Sequence, residues 1–159
     1  MKKILTFALI LVIGIFALTA CANPVEDEFT DFINVKMVQA NANYDALTAE
    51  MGNWESYEAD EQFITSLKEI IIPKCEENIS IVSAISLETD EVKAVREQFI
   101  GVMHSYKDAF NDILAGFENA DEAALNQGNE KLNAGLALLD EYNASLDSLA
   151  ASIGMKVEY

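Results

Sequence analysis

The sequence predicts an all-α fold, an antiparallel up-down-up-down four-helix bundle. Three observations lead there. Apolar residues recur at steps of three and four through four successive segments, the spacing of one face of a helix. Only two prolines occur, Pro24 and Pro73, and no alternating β-branched run bounded by turn residues appears. The breaks at 52–57, 86–89 and 118–121 are short, turn-like and evenly spaced, which argues for antiparallel neighbours over one long coiled-coil oligomer.

Segment one opens with Asn23 as N-cap and Pro24 at the first helical position, where a missing N–H costs nothing. Glu26, Asp27 and Glu28 suit the positive end of the helix dipole. Phe29, Ile33, Met37, Ala40, Tyr44, Leu47 and Met51 then make one stripe, and Gly52-Asn53 closes the helix. Segment two begins near Ala59 or Asp60 and carries Ile64, Leu67, Ile71, Cys75, Asn78, Val82 and Ile85. Pro73 lies inside it and removes one backbone hydrogen bond, so a kink is expected there.

Segment three opens at Thr89 or Asp90, with Val92, Val95, Phe99, Val102, Tyr106, Phe110, Ile113 and Phe117 on one face. Segment four, capped by Asn119 or Asp121, is the most regular. Its seam of Leu125, Gly128, Leu132, Gly135, Leu139, Tyr142, Leu146, Leu149 and Ile153 alternates steps of three and four throughout, and Gly154 supplies the stop. That mean spacing favours near-parallel helices crossing at shallow angles. At 1.5 Å per residue each helix spans roughly 40–50 Å, giving a rod.

The formal net charge is −17, from 27 acidic and 10 basic residues. Nucleic acid is excluded as a partner, because its binding needs Lys and Arg to neutralise phosphates. A bare anionic membrane face repels such a surface as well. The regular apolar content argues against disorder.

Lys2 and Lys3 precede an apolar run from Ile4 to Ala20, which ends in Leu18-Thr19-Ala20-Cys21. A basic start, an apolar middle and small residues before the cut are the parts of a secretory signal. The run of 17 residues is short for a membrane span of about 20. The last four residues resemble the lipobox of bacterial lipoproteins. That resemblance implies a diacylglyceryl group on the Cys21 thiol, removal of residues 1–20, and an extracytoplasmic protein held to the cell membrane by lipid. The remaining chain resembles small helical lipoproteins only in general form. The expected organisation is a signal peptide at 1–20, a lipidated cysteine and short tether at 21–24, the bundle at 25–155 and a tail at 156–159.

With Cys21 acylated, Cys75 stands alone, a small buried hydrophobe with no His or basic cluster around it in sequence to activate it. The single histidine, His104, has Asp108 on its own face, but a metal needs three or four ligands and no second histidine exists. No cofactor, metal or catalytic residue is therefore assigned. Two features could meet partners. Trp54 and Tyr57 lie in the first connection beside Glu55, Glu58, Asp60 and Glu61, either capping the core or forming an aromatic patch in an acidic rim at the tip far from the lipid. Gly128 and Gly135 interrupt the last seam at about 1 kcal/mol each relative to Ala. They either receive bulky side chains from a neighbouring helix or border a cavity for an apolar ligand. The expected role is a non-catalytic interaction or envelope-scaffold module meeting an envelope protein or wall component. The alternative is a carrier of a small apolar ligand.

Overall fold

The computed structural model describes residues 23–157, and among these every regular element is helical. The first stretch comprises α1 (Pro24–Asp31), a π turn (Phe32–Lys36), α2 (Val38–Asn53) and a 3-10 turn (Trp54–Ser56). Asn23 caps α1 as its sequence position suggests, its side-chain oxygen accepting from the Val25 N–H at 3.2 Å. The expected unbroken helix is interrupted at Met37, whose N–H donates to the Phe32 carbonyl five residues back at 2.9 Å. This extra residue in the turn brings both Phe32 and Ile33 into the core. Val35 and Val38 are left facing outward, 65% and 57% exposed.

The second stretch comprises α3 (Asp60–Ser66), a second π turn (Leu67–Ile71) and α4 (Ile72–Ser83). Helical residues run without a gap across Pro73, so the chain does not split there. The strain that a mid-helix proline brings is met by the wider turn before it. Ile72 donates its N–H to the Leu67 carbonyl, and Pro73 falls at the start of α4, where a missing donor costs little.

Two long helices complete the chain, α5 (Asp90–Asn119) and α6 (Glu122–Ser152). Ala120 joins them in the left-handed region at φ 51°. Asp121 then caps α6, accepting from the N–H groups of Ala123 at 2.9 Å and Ala124 at 3.2 Å. After Ser152 the chain leaves the helix at Gly154, φ 78°, with the Met155 N–H returning to the Ala150 carbonyl at 2.8 Å.

One core unites these elements. Phe29, Phe32, Leu47, Leu67, Phe99 and Phe110 are buried to 1% or less, each contributing about 1.5–3 kcal/mol of transfer free energy. Helix α2 packs on α4, α4 on α5, and the closest backbone approach of α6 is to α5. Within the last seam, Leu139 is buried, but Leu132 is only half-buried. Leu132 lies between Gly128 and Gly135, where α6 presses against α5.

Candidate interaction sites

The tip is built by the 3-10 turn and the helices flanking it. Trp54 is half-buried and donates its indole N–H to the Ser66 hydroxyl at 2.9 Å. Its ring meets Phe63 and Phe110 edge-on, at centroid distances of 5.8 and 6.1 Å. Tyr57 meets Phe63 at 5.2 Å and gives its hydroxyl hydrogen to Glu50, while Phe63 stacks on Phe117 at 5.2 Å. That hydrogen bond raises the Tyr57 pKa and lowers that of Glu50. The aromatic groups of the first connection are thus engaged with one another and with the end of the core. What they present outward is carboxylate, since Glu55, Glu58, Asp60 and Glu61 are all exposed. Phe63 is the centre of this cluster, although it lies off the apolar stripe of its segment and carried no signal of its own in the sequence.

At the second candidate, the position directly over each glycine is occupied by atoms of α5. A Cβ on Gly128 would lie 2.6 Å from Ile113 Cγ1 and 2.8 Å from the Ala109 carbonyl oxygen. A Cβ on Gly135 would lie 2.6 Å from the Tyr106 ring. Gly116, opposite, is covered in the same way by Leu125. These three glycines let the backbones of α5 and α6 close on each other with Tyr106 and Ile113 as knobs.

A polar layer crosses the middle of the core. Asn43 accepts from Lys74 Nζ at 2.9 Å, and Lys74 also bridges to Glu77 at the same distance. Asn78, fully buried, points its amide nitrogen at Met103 Sδ, 3.6 Å away. Tyr44 and Tyr106 hydrogen-bond each other, and burial raises the pKa of both. Cys75 is free and buried beside them, and burial pushes its thiol up to about 12, so it stays protonated and unreactive. His104 is exposed on α5. Among the described residues no group of three or more His, Cys, Asp or Glu side chains is arranged to hold a metal ion. Residues 1–20, expected as a signal peptide, and Cys21 lie outside the described residues.

The end opposite the tip carries a set of contacts that periodicity did not reveal. Glu28 of α1 reaches the connection between α4 and α5, where its carboxylate accepts from the backbone N–H of Glu88 at 2.6 Å, that of Thr89 at 2.8 Å, and the Thr89 hydroxyl. Lys36 donates to the Ser86 carbonyl at 3.3 Å and Arg96 to the Ile85 carbonyl at 2.7 Å. The 85–89 connection is therefore tied to both α1 and α5. Comparison with protein-family models, curated proteins and solved structures returned no match.

Proposed function

We propose that the chain is a lipid-anchored extracytoplasmic lipoprotein whose folded part is an antiparallel up-down-up-down four-helix bundle acting as an interaction or envelope-scaffold module, without a catalytic role. The observation that carries the reading is Leu18-Thr19-Ala20-Cys21, two residues before the cap of the first helix. No described helix is long and apolar enough to cross a membrane, so attachment in this reading comes from lipid on Cys21. Two or more acyl chains give a stable hold where one gives marginal binding.

Contacts at the two ends support the topology. Glu28 meets Thr89 and Thr30 meets Met155 at one end, whereas Trp54 meets Phe110 and Lys68 pairs with Glu118 at the other. Successive connections in this arrangement alternate between an end near the lipid and a tip facing away from it. The tip, an aromatic plug beneath exposed carboxylates, is the surface we assign to an envelope protein or wall component. The test is Cys21→Ser expressed in a bacterial host with labelled fatty acid. The substitution should abolish label incorporation and release the protein from the membrane fraction. Retention of a normally trimmed, unlabelled product would overturn the anchor.

A further inference from the structure

The stretch after α6 is more than a frayed end. Residues 153–157 turn back at Gly154, and Met155 and Val157 pack against the core. The Thr30 hydroxyl donates to Met155 Sδ at 3.7 Å, a contact across 125 positions that straps the end of the last helix to the first. Thioether sulfur is a weak acceptor but a good partner for an apolar seat. The described methionines differ sharply in access. Met37 and Met103 are 1% and 0% exposed, whereas Met155 and Met51 are only partly buried. Met155 therefore joins an oxidisable sulfur to a structural contact between two helices.

We propose that Met155 is an oxidation site, and that its conversion to the sulfoxide by a peroxide releases the 153–157 strap from the first helix. The sulfur lone pair attacks one peroxide oxygen, the O–O bond breaks, and the proton of the transferred oxygen passes to the departing hydroxide. Sulfur is oxidised by two electrons and hydrogen peroxide leaves as water. The product places a polar, chiral group where an apolar one packed, which disfavours the seated tail.

The experiment treats the full chain with hydrogen peroxide and follows each methionine by peptide mass spectrometry. Tail opening is read in parallel from trypsin cleavage after the exposed Lys156. Met155 should oxidise at least about tenfold faster than Met37 and Met103, and the oxidised fraction should be cleaved about tenfold faster than the rest. Met155→Leu should remove the response to peroxide, and Met51→Leu should keep it. Oxidation of Met155 no faster than of Met37, or cleavage that does not follow the sulfoxide fraction, would overturn the proposal. So would an equal peroxide response in Met155→Leu. If that variant loosens the tail unaided, the wild-type correlation between sulfoxide and cleavage decides the question.

Discussion

Glu28 shows how one side chain can serve a helix that is not its own. Its place in an acidic first turn suggests only a dipole partner for α1, yet its carboxylate caps the start of α5 some sixty positions away. Thr89, the N-cap residue there, makes no side-chain cap and donates its hydroxyl to Glu28 instead. Partial burial pushes the Glu28 carboxyl up. The bonds from Thr89 and Glu88 and the charge of Lys36 outweigh this and hold its pKa below the ordinary 4.5. A lowered folded-state pKa contributes stability that is present above the unfolded value and is lost as pH falls through the folded one. Glu28→Ala should therefore cost about 1.5–3 kcal/mol at pH 7, the range for hydrogen bonds to a charged group. The deficit relative to the parent should shrink below about pH 4.5, as protonation removes the same bonds from the parent. Urea unfolding of both proteins at pH 7 and pH 3.5 checks this, and a deficit independent of pH would show that the carboxylate charge is not the cause.

At the scale of the element, the stripes were legible because burial of one face is what a helical period records. The Asn23 cap could be read directly from residue type, and Asp121 was one of two candidates there with Asn119, which the structure places in the last turn of α5. The two π turns left a fainter trace. Each lies where a stripe takes two steps of four in succession, Phe29–Ile33–Met37 and Leu67–Ile71–Cys75. Val102–Tyr106–Phe110 has the same spacing within an unbroken α5, so the pattern alone does not specify a π turn. Periodicity also says which residues face inward without saying which helix they meet, and so the half-exposure of Leu132 and the long-range partners of Glu28 were not readable. The glycines divide by the same logic of neighbours. On Gly128 a Cβ would meet backbone atoms of Ala109 and Ile113 at 2.8 Å, which can yield only if the helices separate. On Gly101 it would meet nothing within 4 Å. Gly128→Ala should lower stability by about 1–3 kcal/mol despite better helix propensity. Gly101→Ala should raise it by about 0.5–1 kcal/mol. A denaturant midpoint for Gly128→Ala that matches or exceeds the parent's would refute the close α5–α6 contact.

Over the whole molecule, the dominant electrostatic fact is the excess of 27 acidic over 10 basic residues. Two effects oppose each other as salt is added. Ion pairs such as Lys36–Asp31, Lys74–Glu77 and Lys131–Asp112 are weakened, but they are partly solvated and pairs of that kind contribute only about 0–1 kcal/mol each. The general repulsion among unpaired carboxylates is weakened too, and it acts against the compact state everywhere on the surface. With so few cations to set against it, repulsion is the larger effect. The screening length falls from about 30 Å at 0.01 M salt, comparable with the molecule, to about 8 Å at 0.15 M, comparable with neighbouring side chains. Raising sodium chloride across that interval should therefore increase the melting temperature by about 3–6 °C, equivalent to roughly 1–2 kcal/mol in a domain of this size. Magnesium chloride at matched ionic strength separates screening from site binding: an equal rise means that the ions act through the field alone, and a distinctly larger one means that carboxylates hold the divalent ion directly. A melting temperature that falls with sodium chloride would show that the ion pairs outweigh the repulsion, and the acidic surface would then be a network of attractions in place of a self-repelling shell.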